Sequence, residues 1–346
     1  MNKLTLLLVG VSLALTPLLS VSSDALTEEE WKLEASIRVH PKYPISAARE
    51  GKQGSVTMSF SVDPQGQVDD IIFLNTTNNV FSPFAKKALK QWQYPKLSTE
   101  KESYTRTGTV RLDFTLGSSP EEVSRRFKAK ITDAYQLITD DKLEEVAKTI
   151  RSLSKRERLN NTEAFYFNLL QADYWQQVKD PAKELMYRLE AASFDTLVPS
   201  KIAMRNRYTM ISLAASLGQL RIAAHQYNAL NELTSDEAKN YSSALEGVMA
   251  QVRDIFLNSS KITAQVYAHE EHPLYYPISG QSVEVLQLPS GDNAVQLRCH
   301  NYMGTVKPTK AKPIDINTDW QGCYLLVMTE QSGDFYIREH FTRADS

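Results

Sequence analysis

Cysteine is nearly absent from this sequence: Cys299 and Cys323 are the only two in 346 residues, both near the C-terminal end. The stretch between them is too sparse in partner ligands to suggest a structural zinc site. In an oxidising compartment the pair is free to form one disulfide, because both sit in or beside alternating apolar strands. Net charge is also missing. A formal charge of −2 argues against a protein that tracks nucleic-acid phosphates, which is normally clearly basic. No Walker lysine loop, dinucleotide fingerprint, nucleophile elbow or zincin helix is present, so no enzyme class, cofactor or small-molecule substrate is assigned. The nearest metal candidate is His269-Glu270-Glu271-His272. It lies between a strand and Pro273, and reads as a solvated loop rather than a rigid ligand pair.

Long apolar runs are equally scarce. The longest, Leu4 to Leu19, spans about sixteen residues, short of the roughly twenty that cross a bilayer. Lys3 before it, and Ser20, Ser22 and Ser23 after it, give the order of a secretory signal, placed at residues 1–25. Export to the periplasm follows from that reading, and a retained inner-membrane anchor facing the periplasm is the alternative. No Cys follows the run, which excludes a lipoprotein anchor.

A chain of this length exceeds a single-core domain, and its 42% hydrophobic content suffices for packed cores. The hydrophobic period divides it into three regions, giving an α+β multidomain fold class. Within 37–117, Val56, Met58, Phe60 and Val62 alternate on one strand face. Asp63-Pro64-Gln65-Gly66 reads as a turn, and Val68 to Leu74 as the returning strand. Ser82 and Pro83 supply an N-cap and first helical residue. Phe81, Ala85, Ala88, Leu89 and Trp92 share one helical face, and Pro95 stops the helix. Val110, Leu112, Phe114 and Leu116 alternate as a third strand. The expected order is β-β-α-β.

Residues 119–257 repeat at helical spacing. Ser119-Pro120-Glu121-Glu122 signals a first start, before a stripe from Val123 to Ile138. Further starts are read at Asn160 with Glu163, at Asp180-Pro181, at Ser200, and at Thr234 with Glu237. Residues 261–346 return to strands at Thr263–Tyr267, Val283–Leu288, Ala294–Cys299, Cys323–Met328 and Phe335–Phe341. A small all-β sandwich or barrel is expected there.

The ordered set Tyr43-Pro44, Ala47, Gly54, Val56, Phe60, Val62, Pro64, Gly66, Val68-Asp69, Ala88-Leu89 and Trp92-x-Tyr94-Pro95 resembles the C-terminal domain of TonB-family proteins. Leu213, Leu217, Gly218, Ala223, Ala224 and Tyr227 resemble the helix junction of a tetratricopeptide repeat. An irregular array of helical hairpins is the alternative, and either version stacks as a solenoid that holds a partner.

TonB-family proteins couple an inner-membrane motor to outer-membrane transporters, and their C-terminal domain takes a transporter peptide as an added strand. The resemblance therefore implies a non-enzymatic periplasmic accessory of TonB-dependent transport. Its partner would be a transporter peptide or another TonB-system component. A periplasmic scaffold or peptide-binding adaptor unrelated to transport is the alternative. The strand Thr107 to Leu116 is the expected edge, with Thr109, Arg111, Asp113 and Thr115 pointing outward. Tyr43 and Pro44 contact the partner or serve local packing. Here the module departs from TonB: no Pro-rich spacer precedes it, and the stretch from Leu19 to Ile37 reaches only roughly 60 Å. An energy-transducing role across the periplasm is thereby in doubt.

Overall fold

The computed structural model describes residues 33–96, 105–116, 123–154, 159–233, 235–307 and 313–342. The signal-like segment, the Ser119–Glu122 start and Thr234 lie outside the described residues.

Strands β1 (Gly54–Val62) and β2 (Val68–Thr76) form the expected hairpin. Its turn closes with Gly66 N–H on Asp63 O at 3.0 Å. Gly66 has φ +86°, and a Cβ there would sit 2.0 Å from the Tyr94 carbonyl oxygen. Only glycine fits this turn without a shift. Strand β3 (Arg106–Phe114) pairs antiparallel with β1, giving the order β2-β1-β3. Val56, Met58, Phe60 and Val62 are buried beneath Phe81, Ala85 and Leu89, as the alternation required.

Four details differ from the sequence expectation. A short helix α1 (Ile45–Arg49) precedes β1, so the order is α-β-β-α-β. Helix α2 (Ser82–Leu89) is entered through a 3₁₀ turn, Asn79–Phe81, which places Phe81 rather than Ser82 at its N-cap. It also ends before Trp92, whose indole donates to Val39 O at 2.9 Å from the following turn. Finally, β3 stops at Phe114, and Leu116 is exposed.

Helices α3 (Arg125–Thr139), α4 (Leu143–Ser154), α5 (Asn161–Val178), α6 (Pro181–Ala192), α7 (Ser200–Ser216), α8 (Leu220–Asn231) and α9 (Asp236–Asn258) follow. Ser124 caps α3, so Val123 falls before the helix. The Asn160–Glu163 capping box forms as read. Glu163 also accepts from Ser124 N at 2.9 Å, tying the starts of α3 and α5 together. Asp180 caps α6 with Pro181 in its first turn. Ser235 caps α9. A buried network of Arg188, Glu184, Asp173 and Asn206, joined by Tyr135, links α3, α5, α6 and α7. Burial of such a cluster is tolerable only because each charge is paired.

The C-terminal strands are β4 (Lys261–Ala268), β5 (Leu274–Pro277), β6 (Ser282–Leu286), β7 (Ala294–Cys299), β8 (Tyr302–Val306), β9 (Ile314–Asp315), β10 (Tyr324–Met328) and β11 (Gly333–His340). They form two antiparallel four-stranded sheets, β5-β10-β7-β8 and β4-β11-β6-β9. Val266, Val283, Phe335 and Ile337 of one sheet pack on Val295, Leu297, Leu325 and Val327 of the other. The sandwich is therefore the correct alternative. A disulfide joins Cys299 to Cys323, with Cα atoms 4.0 Å apart.

The three regions pack as one unit from Leu33 to Ser346. The second face of the β2-β1-β3 sheet explains why. Ser55, Ser59, Ser61 and Thr107 are polar yet buried. Arg298, fully buried at the end of β7, donates to Ser59 Oγ at 2.9 Å and pairs with Asp70. Thr107 donates to Cys299 O at 2.7 Å. Polar groups withdrawn from water need such partners, and here the rest of the chain supplies them.

Candidate functional site

Strand β3 has a hydrogen-bonded neighbour on one side only among the described residues. Thr109 and Asp113 are exposed along it, and Thr115 just past its end. Such an edge offers free backbone N–H and C=O groups to an added strand. The other edge, β2, is turned into the molecule. Asp70 holds Arg298, Asn75 donates to Glu190, and Phe73 to Thr76 line a cavity.

Arg111 does not project freely. Its guanidinium donates to Ser193 O, lies 4.3 Å over the Phe194 ring, and pairs with Asp113 at 2.9 Å. Arg111 thus anchors the middle of β3 to the segment after α6. Tyr43 packs edge-on against Phe81 and Phe114, with ring centroids 5.6 and 5.9 Å away, and its hydroxyl donates to Lys52 O. Pro44 is buried beside it. Of the two roles open to Tyr43-Pro44, this geometry displays the packing one.

A family model described as the Gram-negative bacterial TonB protein C-terminal matches residues 39–116. Those residues form a TonB-family C-terminal domain. The match includes α1, the β1–β2 hairpin, α2 and β3, and leaves the helices and the sandwich unmatched. The solution NMR structure of the Pseudomonas aeruginosa TonB CTD aligns with 27% of this chain and 93% of that one, at 21% identity and a TM-score of 0.23. No curated protein matches the chain. No described helix is long and apolar enough to cross a membrane.

Sequence reasoning missed a cavity of about 720 Å³ where the TonB-family domain meets the other two regions. Its wall comes from β2 and the loop after it, from α4, α5 and α6, and from residues 269–272. Glu190, on α6, lines it. Burial raises the Glu190 pKa, and the nearby His272 opposes the shift. Burial lowers the pKa of His269, opposed by Glu271 and Glu270. The 269–272 segment is a turn whose Glu270 and Glu271 are exposed, while His269 and His272 are half-buried. His272 N–H meets His269 O at 3.2 Å, and the two rings lie 5.1 Å apart by centroid. No periodicity marks such a turn, so the residues alone gave no signal beyond their types.

Proposed function

We propose that this protein is a non-enzymatic, periplasmic binding accessory of TonB-dependent transport. The match of residues 39–116 to the TonB C-terminal family carries this reading. TonB-family domains bind proteins of the envelope, and the open β3 edge suits the strand addition such domains use. A transporter peptide adding to β3 would bond to its backbone. Thr109 and Asp113 would tune choice, and Arg111 would hold the strand against Phe194. Tyr43 and Pro44 would keep the adjoining wall rigid.

The paired helices α5–α6 and α7–α8 support a repeat-like array that docks a second component. Asp180-Pro181 and Gly218 set its two hairpin turns. Burial of the sheet's polar face against the sandwich, through Arg298 and the Cys299 carbonyl, distinguishes the chain from a free TonB domain. Force pulled through β3 would be borne by the whole unit rather than by a tethered module.

A photo-reactive residue placed at Thr109 or Asp113 in cells tests the reading. The expected product is a cross-link to an outer-membrane transporter. Cross-links only to envelope proteins outside any transport system would favour the assembly-scaffold alternative.

A further inference from the structure

Outside the TonB-family domain, the turn between β4 and β5 brings two imidazoles and a carboxylate to one point. One ligand atom from each of His269, Glu271 and His272 lies within 4.8 Å of the others. We propose that these three residues bind a divalent cation of the zinc class at the mouth of the cavity. This inference is independent of what β3 binds.

The local structure holds the set together. Glu270 N–H donates to Ser332 Oγ at 3.1 Å, fastening the turn to the loop before β11. His269 and His272 form an antiparallel bridge across the turn, so both rings leave it on the same side. Two imidazoles and one carboxylate match the three-protein-ligand pattern of zinc sites that keep a fourth position open. The same ligands discriminate against magnesium and calcium, which take oxygen ligands almost throughout.

The distances decide what must move. Tetrahedral ligands about 2.0–2.1 Å from zinc stand about 3.4 Å apart. The three groups must therefore close by roughly 1.4 Å at most, within the reach of side-chain rotation at an exposed Glu271. One hydrogen bond has to yield. Glu271 N–H now donates to His269 Nδ1 at 3.1 Å. A cation either takes that lone pair, or binds Nε2 while the ring proton moves to Nδ1 and the amide contact opens.

Isothermal titration of the untagged full-length protein with Zn²⁺ alone, after chelator treatment, tests the proposal. One site of micromolar affinity or tighter is expected. His272→Gln should weaken it about tenfold or more, whereas Glu270→Gln should leave it unchanged. Bound Co²⁺ should show ligand-field absorption that His269→Gln removes. Thermal transitions equal to wild type would establish that the variants fold. Wild-type protein without a micromolar site, or undiminished binding by folded His269→Gln/His272→Gln protein, would overturn the assignment.

Discussion

Replacing Asp70 by alanine removes the carboxylate that faces a fully buried guanidinium. Arg298 is 0% exposed and Asp70 34%. Arg298 retains Ser59 Oγ at 2.9 Å and Gln296 Oε1 at 2.8 Å, but neither carries a charge. Breaking a buried pair costs about 3–5 kcal/mol, because the surviving charge is stranded. Partial exposure of Asp70 lets water repay some of this, so about 2–4 kcal/mol is expected. In a unit of this size that lowers the melting temperature by roughly 3–6 °C. Arg298→Met removes the charge itself and fills similar volume, so it should cost less, about 0–2 kcal/mol. Asp70→Ala on the Arg298→Met background should then add little. Urea denaturation of the four proteins, with the disulfide intact, closes the double-mutant cycle. Asp70 also occupies φ +40°, beside a register shift opposite Ser59 and Ser61. A bulge there aims its carboxylate out of the ladder. Equal losses for the two single variants, or a loss under about 0.5 kcal/mol for Asp70→Ala, would refute the stranded-charge reasoning.

The disulfide closes 24 residues of sequence separation, so Cys299→Ser/Cys323→Ser should cost about 3–4 kcal/mol in the chain-entropy model. Thiol titration of denatured, unreduced protein should find none free. Glu190 binds its proton more tightly folded than unfolded, since burial raises its pKa. Its contribution is therefore intact below the unfolded carboxylate pKa and is lost as pH rises through the folded value. With chelator present, Glu190→Gln should gain thermal stability over wild type on going from pH 4 to pH 7, and parallel curves would contradict this. Gly66→Ala should destabilise the protein by about 1–3 kcal/mol, because its Cβ meets the Tyr94 carbonyl and φ is positive. Denaturant midpoints check it.

What could be read in advance follows the range of the forces involved. Val56 to Val62 show the core face by alternation alone, and Asn160 with Glu163 marks a helix start by a bond spanning three residues. Both signals are local. The strands β5 and β8 escaped because Leu274–Pro277 is four residues long and ends in proline, and Tyr302–Val306 carries a central glycine. The burial of Ser55, Ser59 and Ser61 carries no local signal, since nothing nearby in sequence announces Arg298, more than two hundred residues from Ser59. Arg111 reads as outward for the same reason. Its partners Ser193 and Phe194 lie on a helix exit that packs on β3 only in three dimensions. The His269–His272 cluster depended on a turn geometry that residue spacing does not encode.

Strand addition at β3 is the central claim, and amide hydrogen exchange of the full-length protein tests it most directly. The probe is a synthetic peptide covering the segment cross-linked through Thr109. Slower exchange confined to residues 106–114, with the helices unchanged, is the expected result. Peptide binding that protects α5 to α8 instead, with β3 exchanging as before, would contradict it.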